Sequence, residues 1–254
     1  MERLSVIVVF HMDDDQIEKC INSTREIADE IILVDPSGRP KSKELISRYD
    51  IKYLPGKNSD FLLSVNEAIR KATYDKLCFI GSNEYLSESL RTSIREIKQK
   101  WTRDGYSVTK YKNYYGKWLR YSGVYPDQPV RLYKRNKGYW AGDQLEEHIE
   151  LKNPESFDLL KGELYCRVYK NIQEHIIYIN EATRIEAVKS YKKGKKVNSL
   201  QIIFLPLKDF LKQYFIKLGI LDGFYGLIFA VLVSFSKFLG LVKLRDFIRS
   251  NGED

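Results

Sequence analysis

The sequence predicts an α/β protein on a mainly parallel sheet flanked by helices, with a helical tail at the C-terminal end. Apolar, β-branched runs recur at SVIVVF (5–10), IILVD (31–35) and KLCFI (76–80), as in strands covered on both faces. Amphipathic helical patterns separate them, and strands alternating with helices make βαβ units. After residue 171 strand signals stop, and helical, basic and apolar sequence takes over.

Residues 5–10 read as a buried strand and not as a secretory leader, because the run is short and acids follow at once. Asp13 opens a helix with Gln16 as its capping-box partner. Ile17, Cys20, Ile21, Thr24 and Ala28 form its inner face. The strand 31–35 ends in PSGRP, followed by a short helix over 42–49 and a short strand over 51–54. Ser59 opens a helix whose Phe61, Leu62, Val65, Ala68, Ile69 and Ala72 recur near a 3.6 period. The third strand, 76–80, stops at a small polar turn. Ser87 begins a helix carrying Leu86, Leu90, Ile94, Ile97 and Trp101 on one side, and Gly105 can end it. Residues 106–150, rich in Tyr, Trp and Arg, read as antiparallel strands and loops laid over the sheet. A helix spans 172–190, and the tail from about 199 is helical, cut by Pro206, Gly219, Gly223 and Gly226. The chain thus divides into residues 1–170, with a texture change near 105, and a helical extension over 171–254.

The formal net charge of +8 is concentrated in that extension. From Lys189 onward there are twelve Lys or Arg against five Asp or Glu, which leaves only about +1 for residues 1–188. A basic tail alone would suit nucleic acid. One that is basic and apolar together points to an anionic membrane surface, and no nucleic acid is expected. The fourteen uncharged residues GFYGLIFAVLVSFS fall short of the roughly 20 of a spanning helix, so an interfacial or re-entrant placement is expected. The alternative is a buried core helix, which the nearby Lys208, Lys212, Lys217 and Lys243 oppose. Cys20, Cys78 and Cys166 are far apart and odd in number, so they read as reduced core thiols, suited to a reducing compartment.

Ligands of open α/β sheets bind beyond the carboxyl ends of the strands. Three such ends are His11–Asp13, Asp35–Arg39 and Gly81–Glu84. No GxGxxG follows the first strand, which counts against a dinucleotide-binding dehydrogenase. The acids Asp13, Asp14 and Asp15 favour a helix dipole and, being adjacent, do not converge on one ion. In LCFIGSNEYLS (77–87), Asn83 and Glu84 offer one amide oxygen and one carboxylate, a weak set for a water-rich Mg²⁺. Alternatively, Glu84 sits in the first turn of the next helix and favours its dipole.

The segments VIVVFHMDDDQIEKCI, ADEIILVD, NEAIRKA, LCFIGSNEYLS, YYGKWLRYSGVYPDQPVRLYKR, GDQLEEHIE and GILDGFYGLIFA follow one another in this order. Together they are similar to the bacterial family 2 glycosyltransferases that decorate lipopolysaccharide cores and capsules. KWLRYSGVYPDQPVRLYKR and LDGFYG are the most specific parts. The resemblance implies a GT-A (Rossmann-like) fold, with a nucleotide-sugar half over 1–104 and an acceptor half over 105–170. It implies inverting transfer from a nucleotide sugar to a lipid-linked or cell-surface glycan, with Mg²⁺ or Mn²⁺ on an Asp-x-Asp motif. It also implies an enzyme held at the cytoplasmic face of the bacterial inner membrane by its C-terminal tail. Carried over by position, Phe10, His11, Asp35, Asn66, Gly81, Asn83 and Arg131 bind donor, Glu147 or Asp127 is the base, and Asn83 and Glu84 remain for a metal. The departures are as informative. Gly81-Ser82-Asn83-Glu84 stands where the family has an Asp-Ala-Asp-Glu-like turn, and Asp35-Pro36-Ser37-Gly38-Arg39-Pro40 where it has Asp-Ser-Gly-Ser-Thr-Asp. Val65 replaces a basic residue, and Glu146-Glu147 replaces a His-Glu pair. Without a metal, Lys57 or Arg131 would have to offset the diphosphate charge. The same departures also suit a catalytically impaired, glycosyltransferase-like subunit.

Overall fold

The structure, a computed structural model, describes residues 1–10, 16–35, 43–56, 61–142 and 148–251. His11, Asp13–Asp15, Lys57, Ser59, Glu146 and Glu147 therefore lie outside the described residues. In chain order the elements are β1 (Leu4–Val9), α1 (Ile17–Thr24), β2 (Glu30–Asp35), α2 (Lys43–Tyr49), β3 (Lys52–Pro55), α3 (Phe61–Lys71), β4 (Lys76–Gly81), β5 (Glu84–Leu86), α4 (Glu88–Gln99) and β6 (Gly105–Tyr114). Next come β7 (Lys117–Trp118), β8 (Val130–Lys134), β9 (Gly138–Ala141), β10 (His148–Leu151), β11 (Phe157–Tyr169), α5 (Ile172–Lys192), α6 (Ser199–Leu211) and α7 (Gly223–Asn251). The chain forms two units: Met1–Tyr111 with Asp127–Cys166, and Lys112–Pro126 with Arg167–Asp254.

The first unit is the expected α/β body. Strands β3, β2, β1 and β4 are parallel neighbours, and the sheet continues through β8, β6, β11 and β5, with β4–β8, β8–β6 and β11–β5 paired antiparallel. In β1 the side chains alternate between two cores. Leu4, Val6 and Val8 meet Ile17, Cys20 and Ile21 of α1 and Leu90 and Ile94 of α4. Ile7 and Val9 meet Val65 and Ala68 of α3, with Phe79, Tyr133 and Trp140. Burying each large aliphatic side chain contributes roughly 1.5–3 kcal/mol, which is why the β-branched runs fix the centre of the sheet.

Several expectations need correction here. The strands after residue 105 do not lie over the sheet: β6, β8 and β11 are part of it, and β9 and β10 alone form a separate hairpin. The turn after β4 leads first into β5, which pairs with β11, and only then into α4, capped by the Ser87 hydroxyl accepting from Leu90 N–H at 3.2 Å. Gly105 does not end α4. It starts β6, where an added Cβ would press on Leu151 at 2.9 Å.

In the second unit, Pro206 does not cut the tail but lies inside α6, and Gly226 lies inside α7. The break falls between these helices, at a π turn (Lys212–Ile216) and a 3-10 turn (Gly219–Asp222). The segment 119–124 is bound to that break. Asp222 accepts the backbone N–H groups of Arg120 and Tyr121 at 3.1 and 3.0 Å, and the Lys217 carbonyl accepts from Ser122 N–H at 2.8 Å. Leu119 and Val124 pack with Phe229 and Tyr114. Gly226 abuts Gly219 so closely that a Cβ would collide with the Gly219 carbonyl. Within this unit, KWLRYSGV and LDGFYG are therefore complementary parts of one packing device.

Candidate active site at the strand ends

The parallel strands finish side by side. Val9 lies opposite both Val34 and Gly81, Phe10 N–H donates to the Val34 carbonyl at 2.8 Å, and Ser82 N–H donates to the Val9 carbonyl at 2.8 Å. This register brings Phe10, Asp35 and Gly81 to one edge of the first unit. Asp35, 2% exposed, accepts a hydrogen bond from the Tyr53 hydroxyl at 3.3 Å. Burial, with Asp35 alongside, pushes that hydroxyl up to about 12. Asn66 is half-buried in the middle of α3.

The centre of the site is Glu84, also 2% exposed. Its Oε1 meets Lys110 Nζ at 2.6 Å and Arg131 Nη2 at 3.1 Å, and its Oε2 accepts the Gly81 N–H at 2.8 Å. Burial alone would raise the carboxyl. Arg131 and Lys110 outweigh it and hold Glu84 well below the usual carboxylate range. Lys110 is desolvated too, yet Glu84 moves its ammonium above the ordinary value, so both partners stay charged. Asp127 adjoins the cluster through its backbone, its carbonyl accepting from Lys110 N–H at 2.7 Å across an isolated bridge. Asn83 reaches Cys166 Sγ at 3.8 Å, and Cys20 Sγ donates to the Gly81 carbonyl at 3.5 Å. All three cysteines are buried and outside any disulfide, as expected for core thiols. Burial first, then Glu84 and Cys78, push Cys20 up, and Cys78 itself rises to about 12, chiefly through burial.

Arg131 is aimed by an irregularity. Tyr106 pairs with Leu132, but Ser107 pairs with Val130, so Arg131 is the extra residue of a bulge in β8. Bulges re-aim side chains and recur beside active sites. Lys110 was missed by sequence reasoning because its partner lies 26 positions away and only sheet pairing joins them.

The family motif implies a divalent cation, and the described residues do not fit one. They contain no group of three or more His, Cys, Asp or Glu able to hold a metal. Glu84 does not occupy a helix turn, and its carboxylate already serves two cations. A divalent ion ligated there would stand on the order of 5 Å from each, a repulsion of roughly 7 kcal/mol apiece at an effective dielectric near 20.

Comparison with known proteins places the chain. It is 23% identical over 256 residues to an uncharacterized glycosyltransferase of Rickettsia typhi, covering 97% of this chain and 88% of that one. A Rickettsia prowazekii counterpart shows the same figures. Among solved structures, S. aureus TarS 1–349 aligns over 99% of this chain and 92% of its own with 14% identity and a TM-score of 0.46, also when bound to UDP-GlcNAc. The model of the family described as Glycosyl transferase family 2 matches residues 5–155, well over half of the chain. With its α/β, GT-A-like body, the chain belongs to glycosyl transferase family 2.

Proposed function

We propose that this protein transfers a sugar, with inversion, from a nucleotide-sugar donor to a lipid-linked or cell-surface glycan, as in lipopolysaccharide or capsule assembly. The observation that carries this reading is the meeting of Phe10, Asp35 and Gly81 at the carboxyl edge of the parallel strands, beside the charged Glu84–Lys110–Arg131 cluster. That edge is where a doubly wound sheet takes a nucleotide. Asp35 would face the nucleoside, and Asp127 or Glu147 would take the acceptor proton, a role that requires hydrogen-bond reach to the acceptor hydroxyl.

The second unit supports work at a membrane surface. Leu200, Ile203, Phe204, Leu207 and Leu211 are exposed along one face of α6, while Ile202 and Pro206 are buried on the other. Solvent-facing apolar stripes of this kind suit an acyl boundary, and the flanking Lys189–Lys196 cluster suits anionic headgroups. The helical stretch Gly219–Asn251, the 3-10 turn together with α7, is long and apolar enough to cross a membrane and is mostly unburied along its most apolar part. It extends well past the fourteen uncharged residues on which an interfacial or re-entrant placement was expected. Placement on the cytoplasmic leaflet follows from the proposed donor, which is a cytoplasmic metabolite class.

The test is a panel of UDP- and GDP-sugars offered to the full chain in anionic vesicles, with release of nucleoside diphosphate and sugar transfer as readouts. Turnover of one donor, lost in Asp35→Asn, is expected. Binding without turnover would favour the catalytically impaired reading, and failure to bind any donor would overturn both.

A further inference from the structure

We infer that Lys110 and Arg131, and not a divalent cation, offset the charge of the departing diphosphate. The inference rests on the nucleotide-sugar reading and deepens it. In the transfer, the acceptor oxygen bonds to the anomeric carbon and the bond from that carbon to the diphosphate oxygen breaks. The bonding pair leaves with the diphosphate, and the acceptor proton passes to the base. Negative charge therefore grows on the diphosphate, and preorganised cations there act with little reorganisation.

Three observations support the cation pair. Lys110, Arg131 and Glu84 sum to one excess positive charge, held at the carboxyl edge of β4 by a carboxylate that is itself almost fully buried. The Arg131 Nε–H is buried and has no hydrogen-bond partner among the described residues. An unmade buried donor is costly in an isolated protein, and a phosphate oxygen is the kind of acceptor that a guanidinium takes bidentately. The β8 bulge turns this side chain toward Glu84, when regular pairing would have carried position 131 to the opposite face from Leu132. Glu84 acts here as a positioning residue: it holds two like charges next to each other.

The experiment is calorimetric titration of the full chain with UDP, GDP and inorganic pyrophosphate, in EDTA and again in Mn²⁺. Wild-type binding of a nucleoside diphosphate in EDTA within about threefold of that in Mn²⁺, with pyrophosphate competing, is expected. Arg131→Met and Lys110→Met should each weaken it about tenfold, with Arg131→Lys recovering part, and thermal melting checks that the variants are folded. Binding that needs Mn²⁺ would overturn this inference while leaving the nucleotide-sugar reading intact. Metal-free binding that survives in the folded variants would overturn the assignment to these residues. No binding under either condition would overturn the nucleotide-sugar reading as well.

Discussion

The two units depart from an ordinary globular pattern in opposite directions. The first buries charge: Glu84, Lys110 and Arg131 meet at the end of its sheet. The second exposes large apolar side chains, such as Ile203, Phe204 and Ile216, on the helices of its tail. Burying charge is unfavourable unless it is paired, and leaving apolar surface in water is unfavourable unless something covers it. In the proposed reading, the paired charge of the first unit, with one positive charge in excess, meets an anion, and the exposed apolar stripe of the second meets an acyl surface. The segment KWLRYSGVYPDQPVRLYKR serves both. Its Arg120–Val124 part closes the packing of the second unit, and its Asp127 and Arg131 belong to the charged edge of the first.

The sharpest way to break this contrast is to test whether the glycines of the tail are packing devices. Gly226→Ala places a Cβ against the Gly219 carbonyl, a backbone atom that cannot turn aside. We expect a loss of about 3 kcal/mol, read as a lower melting midpoint. An unchanged midpoint would contradict the packing role given to LDGFYG. Of similar size is Glu84→Ala, which leaves two cations without their carboxylate. Breaking a buried pair costs about 3–5 kcal/mol, and the low end applies because the Lys110 and Arg131 side chains keep 17% and 16% exposure. The effect has a pH signature. Glu84 is held below its ordinary value, so its contribution is full above about pH 4.3 and is lost as pH falls toward the folded value. Wild type should lose more stability than Glu84→Gln between about pH 5 and 3 in denaturant melts. Parallel curves would contradict the pairing.

At neutral pH the smallest effect belongs to the second unit. His175 stacks on Tyr169 at 4.1 Å between ring centroids and is bonded to the Tyr115 hydroxyl. Burial pushes its imidazole down to about 4. The unfolded chain takes up the proton near pH 6.5, so stability declines as pH drops from there toward 4. An NMR titration of the His175 ring should show a midpoint near 4, and a midpoint near 6.5 would mean that the ring is solvated.

What the sequence made legible is what short-range pattern controls. SVIVVF, IILVD and KLCFI are strands because their β-branched runs fill both faces of a sheet, and the stripes on α1, α3 and α4 are buried as their spacing requires. Asp35, Gly81 and Arg131 were legible through position and resemblance, and they do lie at the strand ends. What was missed depends on pairing between distant segments. β5 is three residues long, and its Glu84 resembled a helix-dipole acid until β11 supplied its neighbour. Lys110 looks like one more basic residue in a Tyr-rich run until β6 lays it against Glu84. The three cysteines are far apart in sequence, yet Cys20 meets the last residue of β4, Cys166 meets the turn after it, and Cys78 lies within that strand. No local spacing encodes any of this.

The central claim is that anion binding belongs to the first unit and surface binding to the second. It is tested most directly by measuring nucleoside diphosphate affinity in two variants of the full chain. Ile203→Glu/Leu207→Glu, which places charge on the exposed face of α6, should bind UDP or GDP as wild type does while no longer floating with anionic vesicles. Arg131→Met should lose about tenfold in nucleotide affinity and float normally. If the tail variant loses nucleotide affinity as much as Arg131→Met does, or if Arg131→Met loses none, the division of labour drawn here is wrong.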